Sequence, residues 1–197
     1  MKNCNTSHAS FRQAEKSDSR EIALMYRISS DGVADYIWST LARTGEDLLD
    51  VGQRRYERED TNFSYQNCTM AVVGDEVVGM LVAFPMQIDD EHDPYIDPVL
   101  APYSKLEEEE SYYVCGVAVI SDQRGQGIGS RFMALAEKHA LEKGFNKISL
   151  VVFEKNVRAK QLYERLGYVE KRRELVTPHE LIRYAGDAVL MVKDLSQ

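Results

Sequence analysis

A chain of 197 residues is long enough to close one ordinary core and short for two. Its 44% apolar and 28% charged content is that of a soluble globular domain. A formal charge of −8 excludes general nucleic-acid binding, which needs a basic face to release counterions, and suits a cationic partner such as an amine.

No run of about 18 apolar residues offers a membrane span. The polar start, Met1 to Ser10, has no apolar stretch of the signal-peptide kind, so a cytoplasmic location is expected. Cys4, Cys68 and Cys115 lie far apart, are odd in number and lack metal-ligand spacing, which fits a reducing compartment.

Residues 1–9 read as a flexible tail, and Phe11 to Ala14 as a first short strand. Asp18 or Ser19 then caps a helix with Ile22, Ala23, Met25, Tyr26 and Ser29 at helical spacing. After a break at Gly32, Val33, Tyr36, Ile37 and Leu41 share one face of a second helix, and Leu48 to Arg58 form a third. Thr69 to Val73 and Val77 to Phe84, joined by Gly74-Asp75-Glu76, make a β-hairpin that Pro85 ends. Residues 86–111 read as a long acidic loop insertion with one helical turn near Tyr103 to Glu109. The cluster Asp89-Asp90-Glu91-His92-Asp93 within it reads as a solvated loop, and no metal site is assigned.

Tyr112 to Val119 is the next strand, followed by the glycine turn Arg124 to Gly129 and a helix from about Ser130 to Lys143 that Gly144 stops. Phe132, Leu135, Ala136, His139 and Ala140 face the sheet. Lys147 to Phe153 is an apolar, β-branched strand buried on both faces, completing a right-handed βαβ unit. Asn156 opens a helix over Val157 to Leu166, closed by Gly167. Tyr168 to Leu175 and Ala188 to Val192 are the last strands, with a loop between them. The whole reads as one α/β domain over residues 1–197.

A glycine-rich turn between a strand and a helix points several N–H groups at one place beside a positive helix end, which suits a phosphate. A P-loop needs a Lys-Ser/Thr pair after its glycines, and Gly129-Ser130-Arg131 lacks one. A dinucleotide fold needs a third glycine, but Ser130, Arg131 and Phe132 follow Gly129; Glu154 at the end of the next strand is the only feature in its favour.

Two blocks support a third reading. Arg124-Gly125-Gln126-Gly127-Ile128-Gly129 fits the pattern Gln/Arg-x-x-Gly-x-Gly/Ala, five residues after Val119. Downstream, Asn156-x-x-Ala159-x-x-Leu162-Tyr163-x-x-x-Gly167-Tyr168 follows a strand at the matching distance. Together they resemble the GNAT family of N-acetyltransferases over residues 112–170. The resemblance implies a mixed, mostly antiparallel twisted sheet of six to seven strands, flanked by helices. Its fourth and fifth strands would be a parallel central pair, splayed around acetyl-CoA as co-substrate.

The resemblance also implies site residues. Val117, Ala118 and Val119, at a bulged end of the fourth strand, would offer backbone to the pantetheine arm. Arg124, Gly125, Gln126, Gly127, Ile128, Gly129 and Ser130 would hold the pyrophosphate. Asn156 would contact the pantetheine, and Tyr163 would protonate the departing thiolate. The family often has proline where this chain has Ser121, which loosens the turn without removing a ligand. Glu110, with Glu109 behind it, is the expected base for the attacking amine. The expected activity is acetyl transfer to an amine of a small molecule or peptide, by direct attack in a ternary complex. The alternative is a silent acyl-CoA-binding module of the same fold. A homodimer is expected, since such enzymes often pair. The acceptor's identity is not legible in the first helices, the acidic loop or Thr177 to Gly186.

Overall fold

The strand Glu76–Pro85 (β3) is buried on both faces, and the rest of the molecule is layered around it. The structure is a computed structural model and describes residues 9–86 and 97–196. Cys4, the tail before Ala9 and the acidic cluster around His92 lie outside the described residues. Along β3, Met80, Val82 and Phe84 enter one apolar cluster and Leu81 and Ala83 another, as the period of two requires.

Ser10–Gln13 (β1), Cys68–Val73 (β2), β3, Tyr112–Val119 (β4), Lys147–Phe153 (β5), Val169–Leu175 (β6) and Asp187–Asp194 (β7) form one sheet in the order β1-β2-β3-β4-β5-β7-β6. All neighbours are antiparallel except β4 and β5. This is the expected mixed sheet with a parallel central pair.

Ser19–Ser29 (α1), Val33–Leu41 (α2) and Leu48–Tyr56 (α3) follow β1. Ile22, Ala23 and Tyr26 of α1 and Val51 and Tyr56 of α3 pack with Met70, Met80 and Val82 on one face of the sheet. Ala101–Ser104 (α4) is a single turn. Ile128–Glu142 (α5) covers the other face with Ile128, Phe132, Met133, Ala136 and Ala140, all buried. Burying Phe132 completely is worth about 2–3 kcal/mol. Val157–Arg165 (α6) packs beside α5 through Ala159 and Tyr163.

Helix α5 begins at Ile128, earlier than the expected Ser130. Gly127 supplies the left-handed φ of 80° at the N-cap, so the helix is already under way at Gly129. Gly129 therefore serves packing: a Cβ there would stand 3.4 Å from Leu162 Cδ2 of α6.

Strand β4 departs from regular pairing on both of its edges. Its pairing with β5 runs only from Tyr112–Ile148 to Val114–Leu150, although both strands continue. Between Val82–Gly116 and Ala83–Val114 its register with β3 shifts, leaving Cys115 as the extra residue of a β-bulge. The bulge exchanges the faces. Tyr112 and Val114 pack on the α5 side, but after it Val117 and Val119 do so and Ala118 joins the α1 side. Gly116 at the bulge admits α1, because a Cβ there would lie 3.1 Å from the Tyr26 ring.

Candidate active site

The separation of β4 from β5 opens a cleft of about 820 Å³ at their carboxyl ends. Its β4 wall carries unused backbone groups. Ile120 N–H donates to Val78 O at 3.0 Å, and backbone groups alternate sides along a strand. The N–H groups of Ala118 and Ile120 therefore serve β3, whereas those of Val117 and Val119 point to the side that β5 has left. The Val119 carbonyl, on that same side, accepts from Arg124 Nε at 2.9 Å.

That hydrogen bond folds the arginine back over its own strand and fixes the entry to the glycine turn. Gly125 and Gly127 follow with φ of 82° and 80°, a left-handed backbone that side chains disfavour. The turn ends on the amino end of α5, so free N–H groups and a positive helix end face the cleft together. Across from it, Asn156 caps α6: its Oδ1 accepts from Ala159 N at 3.3 Å. The cap uses only Oδ1 and leaves the amide nitrogen available. Tyr163, one wall further along α6, lines the cleft half-buried. Burial pushes its hydroxyl up to about 12, so it stays protonated at neutral pH.

Val117, Ala118, Val119, Arg124, Gly125, Gly127, Ile128, Gly129, Ser130, Asn156 and Tyr163 thus all line one cleft. Gln126 does not. It is exposed, and its amide donates to Gln123 Oε1 at 3.0 Å, so Gln123 rather than Gln126 faces inward. Glu110 is also elsewhere. It lies in the turn before β4 with a φ of 53° and borders a separate hollow with Lys147 and Asp194, at the amino end of β4. The acidic run is divided by its surroundings. Glu108 pairs with Lys147 at 3.0 Å and with Arg172 at 3.4 Å. Burial raises the Glu107 carboxyl above the usual carboxylate range, and its charge acts on Tyr113, which lines the cleft.

The sequence reading missed the charge of the cleft. Lys155, Arg158 and Arg165 join Arg124 in lining the cleft. A Cβ on Gly125 would stand 3.9 Å from Arg158 Nη2, so that guanidinium hangs over the turn. The signal available was a row of cations on the α6 segment of an otherwise acidic chain. A glycine turn and a cationic rim together fit the phosphates of a coenzyme, and the narrow slot between the strands fits an extended arm.

The family model described as "Acetyltransferase (GNAT) family" matches residues 34–168. The chain belongs to the GNAT acetyltransferase family. A thialysine N-epsilon-acetyltransferase of Bos taurus is 40% identical over 55 residues, which is 28% of this chain and 32% of that protein. The chain's match thus spans about a third of that relative. Among solved structures, a ribosomal-protein-alanine N-acetyltransferase from Brucella melitensis has a TM-score of 0.63 and 22% identity, covering 94% of this chain and 99% of that one. A putative acetyltransferase from Salmonella typhimurium with its cofactor acetyl-CoA has a TM-score of 0.63 and 16% identity, covering 96% and 95%. These likenesses show the GNAT fold. None of the described helices of this GNAT chain is long and apolar enough to cross a membrane.

Arg158 offers a first test of this cleft. If the cleft holds the phosphates of CoA, Arg158→Ala weakens CoA binding about tenfold, the size of one charge-assisted phosphate contact. Calorimetry at low and high salt checks it: the variant's affinity also falls less steeply with salt. Unchanged affinity at low salt removes Arg158 from the phosphate contacts.

Proposed function

We propose that this GNAT chain moves the acetyl group of acetyl-CoA to a primary amine by direct attack in a ternary complex. The observation that carries this reading is the cleft itself. Val117 and Val119 direct free backbone N–H groups into it, a phosphate-binding turn lies beside them, and a protonated tyrosine lines the same cleft.

In this reading the turn from Arg124 to Ser130, apart from the outward Gln126, holds the pyrophosphate with backbone N–H groups and the α5 dipole. Arg158 and Arg124 add charge. Asn156, through its free amide nitrogen, and the open edge of β4 hold the pantetheine arm. A backbone N–H at Val117 or Val119 donates to the thioester oxygen as it becomes an oxyanion. The neutral amine attacks the carbonyl carbon, a C–N bond forms, the nitrogen sheds its extra proton to water, and the C–S bond breaks. Tyr163 gives its proton to the departing thiolate and is reprotonated by solvent. The proton lost by the ammonium leaves through water at the open end of the cleft, since Glu110 does not border it.

The test is amine-dependent release of free thiol from acetyl-CoA, measured across small amines and peptide amino termini. Release with at least one class, matched by an acetylated product, is expected. CoA binding in calorimetry with no release from any amine would instead make this a binding module.

A further inference from the structure

The lining of the cleft extends beyond the residues assigned above to the donor. This further part is formed by the turn between α1 and α2, by Tyr103 of α4, by Phe153 at the end of β5, and by Arg183 and Tyr184 in the β6–β7 connection. Among the described residues lining the cleft, Asp31 is the one carboxylate. It forms no ion pair among them, although many carboxylates of this chain do. Its φ of 49° is left-handed, a conformation an aspartate holds at a cost.

Surrounding contacts keep it there. Arg183 N–H donates to Asp31 O at 2.8 Å. Gly32, with a φ of 98°, lies so close to the Leu181 carbonyl that a Cβ would stand 1.9 Å from it. The Tyr103 hydroxyl is buried, with no hydrogen-bond partner among the described residues. Burial first, then the charges of Tyr184 and Asp31, tighten its hold on its proton. The Tyr103 ring meets Phe153 edge-on at 6.4 Å, and Phe153 meets Tyr184 at 4.3 Å.

We propose that Asp31, the Tyr103 hydroxyl and the faces of Phe153 and Tyr184 form a subsite for an ammonium group of the acceptor. The inference rests on the acceptor side of the acetyl-transfer reading. A carboxylate, an orphan hydroxyl oxygen and aromatic faces each attract a cation with N–H donors. The same attraction stabilises the charged form of the nitrogen it holds. An amine that must lose its proton to react is poorly served there. The nitrogen held at Asp31 is therefore the one that does not react, and the acceptor carries two cationic nitrogens, as a diamine or a basic amino acid does. Arg183 stands on the exposed rim, where solvent screens its repulsion.

The experiment compares putrescine, cadaverine and hexamethylenediamine, each against the monoamine of the same carbon chain. Calorimetry on the protein with CoA measures binding, and thiol release measures turnover. At least one diamine binds about tenfold more tightly than its monoamine, the yield of one well-placed cation contact. Asp31→Asn keeps a residue that tolerates left-handed φ, and brings that ratio down toward one. Tyr103→Phe lowers it by less. No diamine preference in the wild type, or a preference that survives Asp31→Asn, overturns the subsite, and monoamine turnover would leave the transfer reading intact. Diamine binding that depends on Asp31 without any thiol release would uphold the subsite and overturn the transfer reading.

Discussion

Tyr163→Phe lowers kcat of acetyl transfer about a hundredfold while leaving CoA affinity within a factor of about two. The size comes from the chemistry of the leaving group. A positioned acid contributes about 10²–10⁴-fold, and the low end applies because a thiol of ordinary pKa near 8.5 leaves tolerably without help. The Tyr163 hydroxyl makes no hydrogen bond among the described residues, and its ring packs 6.0 Å from that of Tyr168. Phenylalanine therefore keeps the packing and removes only the proton. Because burial pushes that hydroxyl up to about 12, the acid stays protonated across the usual assay range. kcat/KM then rises with pH as the amine becomes neutral, with no fall at high pH caused by Tyr163 below about pH 11. Steady-state kinetics with calorimetric CoA affinities decide it. A kcat within threefold of wild type at rate-limiting chemistry removes Tyr163 from the acid's role.

The geometry of the glycine turn was legible because its signals are local. A strand ending at Val119, alternate glycines and a helix beginning within the glycines describe, in one contiguous stretch, a turn of the kind that suits a phosphate. Lys147–Phe153 has the same bounds in the structure as in the sequence reading, since a seven-residue stretch with five apolar positions, set between a glycine-stopped helix and Asn156, leaves little freedom. Gly144 and Gly167 have the left-handed φ expected after helix ends, 83° and 89°.

What the sequence did not show depends on side-chain direction or distant contacts. Gln126 sits inside the motif yet points outward, because Gly125 and Gly127 on either side of it reverse the chain. Glu110 is only two residues from β4 in sequence. However, a parallel pair puts its functional opening at the carboxyl ends of its strands, and Glu110 belongs to the other end. The resemblance implied a bulge in β4, but that Cys115 is its extra residue cannot be seen without the partner strand's register. Asp31 is the extreme case. It became a candidate only when the turn after α1 was found clamped against residues 181–183, far along the chain.

That clamp carries the second large effect: Gly32→Ala destabilises the fold by about 3 kcal/mol or more and lowers Tm by roughly 6–12 °C. Two costs add. Alanine resists a φ of 98°. Its Cβ would also stand 1.9 Å from the Leu181 carbonyl oxygen, 3.0 Å from the carbonyl carbon and 3.1 Å from Ile182 Cα. These are backbone atoms, so no rotamer change relieves the clash. The α1–α2 turn must withdraw from the β6–β7 connection, which breaks the Arg183–Asp31 hydrogen bond and uncovers Ile182 and Tyr184. Helix α5 and the glycine turn lie on another part of the sheet and keep their geometry. The variant that remains folded at low temperature therefore binds CoA normally and loses its preference for diamines. Differential scanning calorimetry reads the first effect and acceptor titration the second. A Tm within about 2 °C of wild type would mean that the turn and the connection are not clamped at Gly32. The left-handed Asp31 would then rest on its hydrogen bond from Arg183 and on the Val33–Ser30 bond of the turn.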